Sequence, residues 1–557
     1  MAKKCETIIE ELKKIIEDVV FKENFYINET GVERKSFNPE IEKSKNQKFG
    51  DFSTNFLVKT KVKREVIDEY KKIFVDKLAK YKKYFEKVEF VEPGFINFTL
   101  SENFLQDHIF EIIEKGEEYD NFKKKELFYN LEFVSANPTG LLHLGHARNA
   151  AYGDTLVNIW KKYGISVNKE FYINDGGGQI EKLAQSVYVR YLQLFDVKAE
   201  LPEDSYHGQE IISVATALQE KYGDKFLKGH KLVGANLETV KLFSTNFLLN
   251  IIKDTLAKFD VVFDIWFSES IIYKKKLIPL VLKSLEKYTY TAEGALFLKT
   301  TQFGDDKDRV LIKSDGTYTY FTPDIAYHSI KLSRGYDKLF NIWGADHASY
   351  VQRMNIAIQM LGNPDNKLTV LFQQMVKLTK DGQEFKMSKR TGNSLTLQDM
   401  LDTIGKDAAR WYLVSTTLDS HINIDVNKVT QKDANNPLYY VQYAHARINQ
   451  VINKNKNVEM DTKSLSLLNL PIEREIKCML AFYKHILQTI ANNYEVHRLC
   501  NYLQQLAKLY HSYYTSNKII DEVNLDLSSQ RLTLSVAVKQ VLASGLKLLK
   551  ITPSDRM

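Results

Sequence analysis

Two short clusters hold the residues with the most chemical potential. His143-Leu144-Gly145-His146 follows Asn137-Pro138-Thr139-Gly140, where an apolar stretch gives way to a helical pattern. Histidines three apart at a helix start share one face. The helix N-terminus supplies free N–H groups and a partial positive charge, which favours phosphate. A glycine between the histidines would let a flat base or a ribose approach the backbone closely. The same four residues could equally be a helix cap carrying two surface histidines. The second cluster is Lys386-Met387-Ser388-Lys389-Arg390, followed by Thr391-Gly392-Asn393. Cationic side chains and a hydroxyl in a Gly-containing loop suit a mobile clamp on a polyphosphate. Alone, such a pentapeptide is usually a solvated loop. The pair, separated by about 240 residues, is far more specific than either member.

The elements around the first cluster read as a parallel α/β sheet. Leu127–Val134 is a short apolar strand, a helix runs from about His146 to Tyr163, Val167–Ile173 is a strand, and Asn174–Gln179 (NDGGGQ) opens another helix. Strand, Gly-containing turn, helix, strand is the order of such a sheet. Residues 190–290 interrupt it as a mostly helical insertion, and the alternation resumes at Val310–Ile312, Lys338–Trp343 and Leu368–Phe372. Upstream lies a small α+β unit. It has a helix over Glu6–Val20, a turn-rich loop NQKFGD leading into a helix through Phe56, and a Lys-rich helix around Lys63–Tyr84. Two strand segments follow around the Pro-Gly of Val88–Leu100, then a charged linker over Lys115–Lys125. From about Asp407 the pattern is helical almost without strands, with long helices over Pro437–Val451, Glu473–Asn492, Val496–Tyr514 and Ser528–Leu549.

The chain has 557 residues, 44% hydrophobic and 26% charged, an ordinary globular composition that excludes collagen-like or wholly disordered classes. Lys plus Arg exceeds Asp plus Glu by 77 − 70 = 7, and residues 426–557 contain 17 basic and 10 acidic side chains, so the whole excess lies there. A local excess of this kind suits a nucleic-acid-facing domain or a solvated Lys-rich surface. Cys5, Cys478 and Cys500, without C-x-x-C spacing, form neither a disulfide framework nor a zinc site. The amphipathic, acid-containing start is unlike a leader peptide, and no apolar run reaches 18 residues. A cytoplasmic protein away from membranes is expected.

Taken together, EFVSANPTGLLHLGHARNAAYGD (Glu132–Asp154), FYINDGGGQI (Phe171–Ile180), SDGTYTYFTPDIAYH (Ser314–His328), NIWGADH (Asn341–His347), KMSKRTGN (Lys386–Asn393) and YYVQYAHARI (Tyr439–Ile448) resemble the class I aminoacyl-tRNA synthetases, and within them the arginyl-tRNA synthetases. NQKFGDFSTN, PGFINF and the ending ITPSDRM are similar to the same family. The resemblance covers essentially the whole chain. It implies a multidomain α/β protein: an N-terminal α+β domain over 1–120 that contacts the tRNA D-loop, a Rossmann-type parallel-sheet catalytic domain over 121–405, and an all-α anticodon-binding bundle over 406–557. It implies arginine, ATP and tRNA(Arg) as substrates, magnesium accompanying ATP, no resident structural metal, and a monomer without an obligate protein partner. A nucleotidylyltransferase shares the H-x-G-H logic but would need neither terminal domain. A non-catalytic RNA-binding paralogue would be expected to lose some signature residues.

By the match, His143 and His146 contact the ATP phosphates, Gly145 lies beside the adenine, and Met387 belongs to the ATP site. Lys386, Ser388 and Lys389 hold the departing pyrophosphate, with Lys389 the first choice as catalytic lysine. The match also places Glu132, Asn137, Tyr320 and Asp324 in the arginine pocket. A guanidinium is a planar fork that asks for a carboxylate. Asp324 is the first choice for it and Glu132 the second, while Asn137 suits the amino-acid backbone groups. Asp346 and His347, near a strand end, are further pocket or ATP residues. For tRNA the candidates are Tyr439, Tyr440, Tyr443, His445, Arg447, Tyr510 and Met557, with Phe95 and Asn97 at the D-loop side. Phe90 and Phe98 read as core, and Gly50 and Asp51 as fold residues of their loop.

Overall fold

The computed structural model describes residues 6–22, 39–44, 47–55, 75–78, 81–345, 348–385 and 395–557. The chain opens with helix α1 (Ile8–Lys22), whose Ile8, Ile9, Leu12, Ile15 and Ile16 form one buried stripe. Strands β1 (Ile41–Lys43), β2 (Phe52–Thr54), β3 (Phe85–Val91) and β4 (Phe95–Leu100) make an antiparallel sheet in the order β1-β2-β4-β3. The expected helix after NQKFGD is instead a single 3₁₀ turn over Gln47–Phe49 followed by β2. Gly50 explains the difference. Its φ is +75°, a Cβ there would lie 2.7 Å from the Phe98 carbonyl oxygen, and Asp51 N–H donates to that same oxygen, so the chain is drawn flat against β4. Most of the Lys-rich helix expected over Lys63–Tyr84 lies outside the described residues, and Tyr81–Tyr84 is turn rather than helix. Helix α2 (Glu102–Lys115), which the sequence reading passed over, is capped by Ser101 and leads through a 3₁₀ turn into the linker.

A five-stranded parallel sheet forms the next layer. Its strands are β5 (Phe128–Glu132), β6 (Ser166–Ile173), β7 (Ile265–Ser268), β11 and β12, in the order β12-β11-β5-β6-β7. Helices α3 (Leu144–Lys162), α4 (Gly177–Gln193), α5 (Gln209–Tyr222) and α6 (Gly234–Lys258) lie between β5 and β7 in the chain. So β7 falls inside the segment expected to be an insertion. Helices α7 (Ser270–Lys274) and α8 (Leu277–Leu285) then lead to β8 (Thr289–Ala292), β9 (Ala295–Leu298) and β10 (Arg309–Ile312). These three form a separate antiparallel sheet, and Val310–Ile312 does not rejoin the parallel one as expected. Three apolar residues in a row read the same in either sheet. The chain returns through α9 (Phe321–Ser333), β11 (Lys338–Gly344), α10 (Ala348–Met360) and β12 (Leu368–Gln373). β6 and β11 flank β5 on opposite sides, so the crevice beyond the ends of β5 and β11 is a topological switch point.

Strands β13 (Val376–Lys380) and β14 (Gln383–Glu384), helices α11 (Leu397–Ile404) and α12 (Lys406–Val414), and strand β15 (Ile422–Asp425) form the bridge to the bundle, with β15 pairing parallel to β13. A short helix α13 (Val426–Val429) precedes α14 (Pro437–Lys454), α15 (Pro471–Asn493), α16 (His497–Ser516) and α17 (Leu525–Leu548). The four long helices coincide with the four expected. The N-terminal sheet packs on this bundle, Phe52 against Phe482 at 5.6 Å between ring centres. Asp51 carries much of that junction: its carboxylate accepts from Leu100 N–H and pairs with Arg474 at 2.7 Å.

Helix α3 is buried along nearly its whole length, charges included. Asp154 and Arg410 are both fully buried and 2.9 Å apart. The Arg410 guanidinium also donates to the carbonyls of Leu549 and Phe259 and to the Thr155 hydroxyl, at 2.8–3.2 Å. One side chain therefore ties α12 to α3, to the end of α6 and to the end of α17. Burial alone would raise the Asp154 carboxyl, but Arg410 and Lys169 hold it below the ordinary carboxylate range. Removing one member of such a pair costs about 3–5 kcal/mol. Arg410→Met is expected to lose that much in urea unfolding, and a loss below about 1 kcal/mol would deny the pair its structural role.

Candidate active site

The HLGH turn owes its geometry to helix capping. His143 is the N-cap of α3: its Nδ1 accepts the Gly145 N–H at 3.1 Å, while His146 Nδ1 accepts the His143 N–H at 3.2 Å. The rings stack with centres 3.7 Å apart. With Nδ1 an acceptor in both, a neutral ring carries its proton on Nε2 and can donate it. Burial lowers the pKa of His143, and burial plus His143 lowers that of His146 to about 3. The two therefore act as neutral donors, not as cations. Gly145 has a local role besides any contact with adenine: a Cβ there would lie 2.9 Å from His143 Cε1 and would push the ring away.

The turn before it is held in an unfavourable backbone region. Val134 and Ser135 have φ of 66° and 40°, which costs a side-chain-bearing residue about 1–3 kcal/mol. Asn149 of α3 accepts the Val134 N–H at 2.9 Å and offsets part of that cost. The sharp exit from β5 sends Asn137 outward, where its amide donates to Gln179 at 2.9 Å. Residues 386–394, with Lys386, Met387, Ser388 and Lys389, lie outside the described residues, as do Asp346 and His347. The chain leaving that basic segment is nonetheless pinned to the histidine turn. Leu397 N–H donates to Leu142 at 2.7 Å, and His143 bridges Thr396. Arg148 of α3 holds the other flank, donating to the carbonyls of Gln374, Thr417 and Ser420 at 2.7–2.9 Å.

A cavity of about 1040 Å³ opens beyond the ends of β6 and β7 beside the start of α9, walled by Tyr172, Gly176–Gln179, Glu269, Tyr273, Tyr320 and Asp324. Asp324 sits in the first turn of α9, and the Tyr350 hydroxyl donates to its carboxylate. Burial, then the nearby Glu132 and Glu269, push its carboxyl up to about 7 despite that hydrogen bond. Glu269 is also raised by burial, though Tyr172 and Tyr273 donate to it. Glu269 is not among the residues singled out from the sequence, because the apolar stretch before it reads as packing. The available signal was an acid directly after a buried strand end. Glu132 is buried behind the wall, and its carboxylate already has a cation, Lys331, at 2.8 Å. Tyr320 lies at the mouth, 93% exposed.

On the bundle, Tyr439, Tyr443 and Arg447 line one face of α14 at successive turns. Arg447 lies over the rings of Tyr443 and Tyr514 at 4.5 and 4.6 Å, and His511 stacks between Tyr440 and Tyr443. These rings are half-buried and grouped. Tyr510 is different: it is a core residue bonded to Ser535. His445 is buried, with its Nδ1–H donating to the Ser554 carbonyl, which fastens the chain's end beside α14. Met557 is 42% exposed. In the N-terminal sheet Phe95 is exposed, whereas Asn97 is 5% exposed and paired with Ser53 and Glu89, so its amide is not displayed as expected. Phe98 is core, as expected, and Phe90 packs against the same cluster.

Comparison with known proteins adds a consistent picture. Family models match three stretches: Arginyl tRNA synthetase N terminal domain over residues 6–100, tRNA synthetases class I (R), catalytic domain, over 108–454, and DALR anticodon binding domain over 441–557. An arginine–tRNA ligase of Malacoplasma penetrans is 46% identical over 566 aligned positions, spanning 98% of each chain. A Campylobacter jejuni crystal structure described as an arginyl tRNA synthetase superposes with a TM-score of 0.76 at 34% identity, over 82% of this chain and 100% of that one. The Thermus thermophilus arginyl-tRNA synthetase superposes at 0.78 over 99% of this chain and 100% of its own, at 20% identity, a likeness of fold.

The capping geometry makes a spectroscopic prediction. Nitrogen-15 NMR of the imidazoles is expected to show His146 as the neutral Nε2–H form down to pH 5, with His143 titrating below its ordinary 6.5. Protonation of His146 near that ordinary value would break the capping assignment.

Proposed function

Because the chain belongs to the arginyl-tRNA synthetase family, we propose that the HLGH turn and the Asp324 cavity are two halves of one site, holding ATP and L-arginine side by side. The enzyme activates L-arginine with ATP to arginyl-adenylate, releasing pyrophosphate, and transfers arginine to the 3′-terminal adenosine of tRNA(Arg). Asn137 and Gln179 join the halves, since one follows the β5 exit and the other lines the cavity.

The observation that carries the assignment is Asp324: a buried carboxyl on the cavity wall with a tyrosine donor, flanked by other acids and lacking a partner cation among the described residues. A guanidinium supplies that cation and matches the carboxylate fork to fork. Glu269 faces the same cavity and is assigned to the guanidinium with Asp324, while Tyr320 closes the mouth and Asn137 takes the substrate's ammonium or carboxylate. Asp346 is assigned to the same pocket on the family match. The substrate carboxylate then attacks the α-phosphorus, and the bond to pyrophosphate breaks. His143 and His146 donate Nε2–H bonds to the phosphates, strongest as charge builds in the transition state. Gly145 and Met387 border the nucleotide. Lys386, Ser388 and Lys389 hold the leaving pyrophosphate. The Leu142–Leu397 and His143–Thr396 pairings favour this reading because they seat Thr396 and Leu397, shortly after those residues in the chain, beside the histidines. Among the described residues no three His, Cys, Asp or Glu side chains gather as metal ligands, and magnesium is assigned to the ATP phosphates.

For tRNA, the Tyr440, Tyr443 and Arg447 group suits a splayed anticodon base, stacked and charge-contacted, and Met557 is assigned to the tRNA on the family match. Phe95 suits a D-loop base by stacking; Asn97 is assigned to orienting β4 beneath it. The corresponding domain limits are near 120 and 405. Cytoplasmic, monomeric action fits the free buried Cys478 and Cys500. Among the described residues no helix is long and apolar enough to cross a membrane.

Three measurements test this reading. Asp324→Asn is expected to abolish arginine-dependent ATP–pyrophosphate exchange while tRNA Kd stays within about twofold, a change below 0.5 kcal/mol; retained exchange would remove Asp324 from the pocket. In the wild type, binding arginine requires the ionised carboxylate, so KM for arginine should rise as pH falls below about 7. A flat profile from pH 6 to 8 would contradict that sign. Lys389→Ala should lower kcat by more than it raises tRNA Kd, and unchanged turnover would end its assignment as a clamp.

A further inference from the structure

Lys331 is a lysine with no exposed surface, seven residues beyond Asp324 on α9. Its Nζ lies 2.8 Å from Glu132 Oε2 and 3.0 Å from Asn341 Oδ1, and 5.0 Å from the centre of the Tyr327 ring. Glu132 and Asn341 are paired neighbours on β5 and β11, at the strand ends that border the cavity. His328, one turn before Lys331, donates from Nδ1 to the Asp324 carbonyl and accepts from Asn341 at 3.4 Å. Burial and Lys331 keep that imidazole neutral, so it adds no charge. The next acid, Glu170 on β6, has its own cation in Arg334 at 2.8 Å and accepts from Asn130. Tyr172 and Tyr327 are held un-ionised by burial. The other charged side chains on the cavity wall are Asp324, Glu269, Lys274 and Lys313.

Among the described residues, Glu132 is a buried acid and Asp324 and Glu269 are partly buried ones on the cavity wall, where Lys274 and Lys313 also lie; Lys331 is the buried ammonium, and it is committed to Glu132. An isolated buried ammonium is too costly to keep without such a partner, and the partner is aimed by it in turn. We propose that Lys331 is a positioning residue for arginine selection: it supplies the resident counter-charge to Glu132, so that the guanidinium is directed to Asp324 and Glu269. It touches neither substrate nor the reacting atoms. Its action is to hold the Glu132 carboxylate, which also accepts from the Ser135 hydroxyl at 3.2 Å, and to cancel that one negative charge behind the cavity wall. This inference rests on the reading of the cavity as the arginine pocket.

The test is a double-mutant cycle on the full-length enzyme, read as KM for arginine and KM for ATP across pH 6–9. Lys331→Met is expected to raise KM for arginine at least tenfold, with KM for ATP changing less than twofold. Its arginine profile should move to higher pH, because an unpaired Glu132 beside Asp324 makes both harder to ionise. Lys331→Arg should recover most of the loss. Glu132→Gln/Lys331→Met should be no worse than Glu132→Gln alone, since the lysine acts through the glutamate. An unchanged arginine KM and pH profile in a folded Lys331→Met, or additive losses in the double variant, would overturn the proposal. If the single variant fails to fold, the double variant decides, because it leaves no unpaired charge: folding with the Glu132→Gln phenotype supports the proposal, and failure to fold makes Lys331 a packing residue. Failure of the pocket reading itself looks different, since Asp324→Asn would then leave arginine KM unchanged.

Discussion

The seating of helix α3 depends on two opposite charges that meet inside the protein. Asp154 is fully buried, and a carboxylate there would be prohibitive without Arg410 and Lys169 beside it. Satisfying Arg410 in turn requires carbonyls from the ends of α6 and α17. The pair therefore fixes where the bundle sits relative to the sheet. Once the helix is held, its N-terminus has one position beyond β5, and the histidine turn is presented there. Arg148, one turn further in, ties the same helix to the strands on either side of the basic segment. Structural charges at one end and chemical groups at the other belong to a single rigid rod.

The site uses polar groups in two distinct ways. The histidines are neutral because their Nδ1 atoms are occupied by backbone N–H groups and their rings are shielded. They can steady a phosphate by directed dipoles without storing positive charge that would hold the product. The cavity does the reverse: its Asp324 carboxylate has a tyrosine donor and no ion-pair partner among the described residues. A neutral amino acid entering it would leave Asp324 uncompensated, and lysine could not span two carboxylates with a planar fork. Selectivity then arises from what the empty cavity lacks as much as from what it offers.

The RNA-facing domains are built into this frame and not merely appended. The N-terminal sheet contacts the bundle through Phe52, Asp51 and the α1 contacts of Thr7 and Glu10 with Gln488. The tail is fastened to α14 through His445 and Asn449. On the proposed reading, surfaces that meet distant parts of one tRNA are thereby held at a set separation, so shape contributes affinity that a modest charge excess of 7 does not.

Much of this was legible in the residue order. The four bundle helices follow from helical periodicity, and the strand–glycine–helix order around His143 announced a parallel sheet. The paired signatures and the fork chemistry of Asp324 pointed to the reaction. Local pattern failed where the outcome depended on remote partners. Phe52–Thr54 became a strand because Gly50 lets it approach Phe98, and Val310–Ile312 joined a different sheet because three apolar residues do not name their neighbours. Glu269 looked like the end of a packing segment until β7 placed it opposite Asp324. The i, i+4, i+7 series Asp324, His328 and Lys331 was present in the sequence, yet only the β5–β11 pairing shows that Lys331 serves Glu132. By itself the sequence determined which groups were available and the helices and strands that carry them. The tertiary structure decided which charges cancel and which are left for substrate, because that balance is set by distance and burial, and residue order encodes neither directly.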